Sequence, residues 1–69
     1  MADRLVNALR AEREAHGWTQ AELAARVGVS RKTINTIEND IFVPSTLTAL
    51  KIAQAFGRPV EELFSIAAG

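Results

Sequence analysis

Apolar residues along this chain recur at intervals of three and four, and turn-forming residues cut that rhythm into short pieces. Leu5 and Leu9 stand one helical turn apart. Leu23, Ala24 and Val27 share a face, as do Ile34 and Ile37, then Leu47, Leu50, Ala53 and Phe56, and finally Val60, Leu63 and Phe64. The spacing predicts helices. No alternating stretch longer than a few residues, no low-complexity segment and no repeat argues otherwise.

Capping residues set the boundaries. Asp3 is expected to cap a first helix that runs to about Ala15 and stops at Gly17. Thr19, followed three residues later by Glu22, has the reciprocal capping-box spacing, which starts a second helix at Gln20; Gly28 ends it. Ser30 caps a third helix from Arg31 to about Asn39. Pro44-Ser45 opens a fourth, stopped by Gly57, and Pro59 suits the first position of a short fifth. The expected fold class is therefore all-α, a compact five-helix domain spanning residues 1–69.

Between the second and third helices lie only Gly28, Val29 and Ser30, with Val29 as an apolar plug. Two helices joined by so short a glycine-containing turn are the sequence form of a helix-turn-helix, here over about residues 19–39. In such a pair the second helix enters the major groove of DNA. Ile34 and Ile37 would hold that helix down, while Arg31, Lys32, Asn35 and Thr36 fall largely on its other side.

Composition narrows the function classes. With 69 residues and no cysteine, neither a disulfide nor a thiolate metal site stabilises the fold. A net charge of zero counts against an indiscriminate polyanion binder. The distribution says more than the sum: from Leu23 to Thr36 the chain carries Arg26, Arg31 and Lys32 with no acid, whereas Glu61 and Glu62 face only Arg58 near the end. One histidine, no tyrosine and no glycine-rich phosphate loop leave little from which to build an enzyme, and adjacent Glu61 and Glu62 point apart on a helix. His16 beside Gly17 sits where a cation is mildly favourable, but a single imidazole does not make a metal site, so no metal or cofactor is expected. No apolar run reaches the roughly 18 residues of a membrane span. The start, MADRLVNALR, carries an acid where a signal peptide would be basic, which points to the cytoplasm.

The run WTQAELAARVGVSRKTINTIEND, with LRAERE before it and PSTLTALKIAQAFGRPVEELF after it, resembles the helix-turn-helix of the lambda repressor and Cro family over about residues 4–64. That resemblance implies a five-helix DNA-binding domain acting as a homodimer on a palindromic operator. It places Ser30, Arg31, Lys32 and Thr33 at the opening of the recognition helix, with Asn35 and Thr36 one turn further along its outer face. Thr19 and Gln20 would meet phosphate, as would Asn39 where the chain leaves the helix. Arg13 and Glu38 match a pair that ties the first helix to the third, and Trp18 takes an apolar core position. Two positions depart from the pattern: Asp40 stands where glycine is frequent, and Ile41 where a basic residue is common. Ile41, Phe42 and Ile66 either fold back onto the core or form a self-association patch, and the resemblance favours the patch.

The expectation is a sequence-specific double-stranded DNA-binding transcriptional regulator, a repressor acting by occlusion, with operator DNA and a second copy as partners and no membrane. Two rivals stand beside it. An antitoxin-type autoregulator would need a further segment to wrap a toxin, and none is read here. A helical interaction module without DNA binding would agree with the zero net charge and with Ile41.

Overall fold

The computed structural model describes residues 3–68; Met1, Ala2 and Gly69, the outermost residues of the start and tail read above, lie outside the described residues. In chain order the elements are β1 (Asp3–Asn7), α1 (Leu9–Ala15), α2 (Gln20–Val27), α3 (Arg31–Glu38), α4 (Thr46–Phe56), α5 (Val60–Leu63) and β2 (Phe64–Ala68). Three of the helices begin on the expected caps. Thr19 Oγ1 accepts the Glu22 N–H while Glu22 Oε1 accepts that of Thr19, both at 3.0 Å. Ser30 and Ser45 each accept an N–H three residues on at 3.1 Å, and each such cap contributes about 1 kcal/mol. Gly28 and Gly57 close α2 and α4 with φ of 84° and 67°, a left-handed turn that a side chain would strain.

The fold is mostly helical but not all-α, because residues 3–7 form a strand rather than the first turns of a helix. β1 pairs antiparallel with β2, with Asp3 opposite Ala68, Leu5 opposite Ile66 and Asn7 opposite Phe64. Leu5 and Leu9 fit a helical face equally well on spacing, but the hydrogen-bonding partner of this segment lies at the far end of the chain. Local periodicity carries no trace of such a partner. Asp3 therefore caps nothing. The helix starts after Asn7, whose Oδ1 accepts the Leu9 N–H at 3.2 Å, while the Ala8 N–H donates to the Leu63 carbonyl at 2.9 Å.

Leu9, Leu23, Ile34, Ile37, Ile52 and Leu63 are the largest fully buried side chains, so α1 to α5 each place at least one apolar residue in a common core. The reading of α4 needs correction. Ala53 and Phe56 are buried as expected, but Leu47 and Leu50 are 64% and 52% exposed, and Ile52 takes the inner place. A constant spacing of three slips about 60° per step on a helix of 3.6 residues per turn. Over the interval from Phe56 back to Leu47 the slip accumulates to about half a turn, which carries Leu47 to the opposite face. Trp18 is half-buried at the edge of the core. Its ring stacks on Phe56 at 5.3 Å, approaches His16 at 4.7 Å and lies under the Arg26 guanidinium at 4.2 Å. Among the described residues no helix is long and apolar enough to cross a membrane.

Asn7 joins the sheet to the end of α3. Its Nδ2 donates to the Ile37 carbonyl and to Asp40 Oδ1, both at 3.0 Å. This bond explains how Asp40 replaces glycine at a left-handed φ of 59°: the side chain that glycine lacks is held by a partner. Asn7→Ala should lower stability by roughly 1–2 kcal/mol, read as a lower urea midpoint with an unchanged slope.

Candidate nucleic-acid interface

α2 and α3 are set by what flanks them. Gly28 reverses the chain, the Val29 N–H returns to the Ala24 carbonyl at 3.0 Å, and Ser30 starts α3 at once. Ile34 and Ile37 are buried, so rotation of α3 about its axis is determined, and Arg31, Lys32 and Asn35 are turned to solvent around one shallow hollow. No ion pair among the described residues involves Arg31 or Lys32. Arg26, the third base of the acid-free run, is drawn to the Trp18 ring. Thr36 is half-buried, and its hydroxyl donates back to the Lys32 and Thr33 carbonyls, both at 3.0 Å. Ser30 and Thr33 share a hydroxyl contact of 2.9 Å.

Behind this face sits the Glu38 carboxylate, fully buried at 0% side-chain exposure. Arg13 Nε donates to its Oε2 at 2.7 Å, and Arg13 Nη2, Gln20 Nε2 and Arg10 Nε donate to its Oε1 at 3.2, 3.1 and 3.4 Å. Arg13 Nη1 also donates to the Trp18 carbonyl at 2.8 Å. The pair expected between α1 and α3 is thus present, and it gathers α2 as well. Arg10 and Asn7 carry signals too weak for sequence reasoning: a basic residue one turn before Arg13, and an asparagine taken for helix interior. Burial alone would raise the Glu38 pKa, but hydrogen bonds from Arg13 and Gln20, with the Arg13 charge and Arg10, outweigh it and hold the carboxyl below its ordinary value. The same bond to Glu38 raises Arg13.

The residues expected at phosphate are arranged differently from a simple outward row. Gln20 turns its amide to Glu38 and to Asn35, whose Oδ1 accepts at 3.2 Å. Asn39 turns its amide to Asn35 as well, and its own Oδ1 accepts from Arg10 Nη2 at 3.3 Å. Thr19 is occupied by its cap. What α2 offers outward is its start, where the first helical N–H groups precede the intrahelical ladder. Among the described residues no group of His, Cys, Asp or Glu side chains could hold a metal ion.

Past α3, Ile41, Phe42 and Val43 are 75%, 49% and 69% exposed, and Ile66 is 74% exposed on β2. Ile41 and Phe42 border a shallow groove with Ser30, Lys32, Thr33 and Thr36. Phe42 and Val43 flank Leu5, and Leu5 stands opposite Ile66 on the same face of the sheet. The three apolar residues singled out in the sequence therefore lie on the surface rather than in the core.

Two capped helices across a three-residue turn, with an open basic face on the second, define a helix-turn-helix. A profile of the family described as helix-turn-helix matches residues 9–63, and the chain belongs to that family, in its lambda repressor and Cro branch. It is 45% identical over 58 residues to an uncharacterised helix-turn-helix-type transcriptional regulator of Methanocaldococcus jannaschii, covering 84% of this chain and 88% of that protein. It is 41% identical over 58 residues to the regulator YgzD of Bacillus subtilis, with the same coverage of 84% and 88%. It is also 41% identical over 51 residues to the antitoxin HipB of Escherichia coli, covering 74% of this chain and 54% of HipB.

Removing the buried carboxylate should be costly, since it strands Arg13. Glu38→Ala is expected to lose about 3–5 kcal/mol in chemical denaturation, most of the stability of a domain this small. Because the folded pKa of Glu38 lies below its unfolded value, its contribution is complete above the ordinary carboxylate value of about 4.3 and is lost as pH falls through the lower folded value. Acid titration of stability should show this loss in the native chain and lack it in Glu38→Gln.

Proposed function

We propose that this protein is a sequence-specific double-stranded DNA-binding transcriptional regulator that represses by occluding its operator. The observation that carries the reading is the face of α3. Arg31, Lys32 and Asn35 are exposed together on a helix whose other side is locked into the core, and no acid among the described residues pairs with either base. Arg31 is the strongest reader, since a guanidinium can donate two bonds to guanine O6 and N7. The N–H groups at the start of α2 meet phosphate and set the register, with Thr19, Gln20 and Asn39 around them. The names of the archaeal and bacterial relatives support regulation of transcription.

The regulator acts as a symmetric dimer on a palindromic site, in the cytoplasm. Ile41, Phe42, Val43 and Ile66 are exposed apolar side chains, and Ile41 and Phe42 border α3, so self-association there sets two recognition helices side by side. Half-sites are then about 34 Å apart, one turn of the duplex. A second reading, an antitoxin that also represses, rests on the likeness to HipB. Co-expression with the product of the adjoining reading frame separates the two, since only an antitoxin forms a stoichiometric complex with it.

Arg31→Ala should weaken operator binding by about 1–3 kcal/mol and relax the preference at one base position, measured by titration of selected and scrambled duplexes. Unchanged affinity and preference would sink the assignment of this face. Phe42→Lys should leave the helical spectrum intact and shift the sedimentation coefficient to that of a monomer.

A further inference from the structure

We infer that Asn35 reads DNA as a hydrogen-bond donor only, and therefore favours guanine, takes adenine or thymine less well, and rejects cytosine at its base position. The inference rests on the DNA-binding reading and adds a base preference to it.

The two ends of an asparagine amide are nearly alike in shape, so its partners decide which end faces out. Here the decision starts at the buried carboxylate. Glu38 is ionised and can only accept, so the Gln20 amide must present Nε2 to it, at 3.1 Å. The second hydrogen of the same nitrogen points to Asn35 Oδ1 at 3.2 Å. Asn39 is oriented independently. Its Nδ2 meets the Asn35 backbone carbonyl at 2.8 Å, which can only accept, and its Oδ1 meets Arg10 Nη2 at 3.3 Å, which can only donate. The remaining hydrogen of Asn39 Nδ2 reaches Asn35 Oδ1 at 3.1 Å.

Asn35 Oδ1 therefore accepts from both sides, which fills its two lone pairs. Its Nδ2, with two hydrogens, is the end left for solvent on an exposed residue. An asparagine that pairs with adenine in the bidentate manner must offer an acceptor and a donor together. This one cannot without breaking its links to Gln20 and Asn39. Guanine presents two acceptors on its major-groove edge, adenine (N7) and thymine (O4) one each, and cytosine only a donor. Arg31 and Lys32 beside it also donate only, so the centre of the recognition face has a single hydrogen-bonding sense.

The assignment gives Gln20 a positioning role distinct from phosphate contact. If Gln20 served phosphate alone, its loss would weaken all sequences alike. If it orients Asn35, its loss leaves only the Asn39 bond on Oδ1 and narrows the discrimination against cytosine at one position.

The test is selection from a random duplex library with the full chain, its Asn35→Asp variant and its Gln20→Ala variant, after the folding of each is checked by circular dichroism. Binding of the unmodified chain to random duplex at low salt is scored first. Its absence overturns the DNA-binding reading, and this inference with it. Given binding, the unmodified chain should prefer guanine at the position that changes in Asn35→Asp, disfavouring cytosine by roughly tenfold. Asn35→Asp keeps an oxygen for Gln20 and Asn39 but presents an acceptor outward, so the preference there should move from guanine to a base that offers a donor, cytosine or adenine. Gln20→Ala should narrow the margin between guanine and cytosine at that position and leave the others unchanged. The inference fails if the unmodified chain selects cytosine there or adenine over guanine, if Asn35→Asp selects the same site throughout, or if Gln20→Ala weakens every sequence equally.

Discussion

A carboxylate with no exposure to solvent holds this small fold to one arrangement. Taking Glu38 out of water costs several kcal/mol, and only good donor geometry offsets that cost. The donors come from three directions: Arg10 and Arg13 on α1, and Gln20 at the start of α2. Glu38 itself ends α3. The apolar core brings the helices together without specifying how α3 sits along its own axis, since greasy contacts tolerate sliding. A charge that must be met by particular donors does not. The position of the recognition helix relative to its two neighbours is thus set electrostatically, within a core held by burial.

The same network explains the outward chemistry. Amides are adaptable groups, yet those of Gln20 and Asn39 are each held to one orientation by a neighbour that can only donate or only accept, and these two together orient Asn35. A surface that would otherwise be ambiguous to a base edge acquires a definite sense. In the proposed reading, base preference is set by groups that do not themselves touch the base.

Much of the scaffold was legible in the sequence because its signals are local. The Thr19–Glu22 box, the caps at Ser30 and Ser45 and the glycines at the ends of α2 and α4 are read within a few residues, and each appears where its spacing predicts. The Arg13–Glu38 pair was legible only through resemblance. The strand at residues 3–7 was not legible, because its partner is at the other end of the chain. Leu47 and Leu50 were misplaced because a run of threes imitates a face while rotating away from it. Nor could the inward turn of Gln20 be read, since nothing local distinguishes an amide aimed at phosphate from one aimed at a buried acid.

The pairing of β1 with β2 has a consequence for how the molecule comes into being. Contacts between neighbouring helices need only nearby segments, but β1 is synthesised before all five helices and its partner after them. At roughly 5–20 residues per second that separation lasts seconds on the ribosome. Throughout it Leu5 and Val6 lack their strand, and the apolar surface that continues from Phe42 through Leu5 to Ile66 is unfinished. That surface is therefore completed only once β2 has been made. A nascent or truncated copy can carry a formed recognition helix before it carries the whole surface by which two copies would meet.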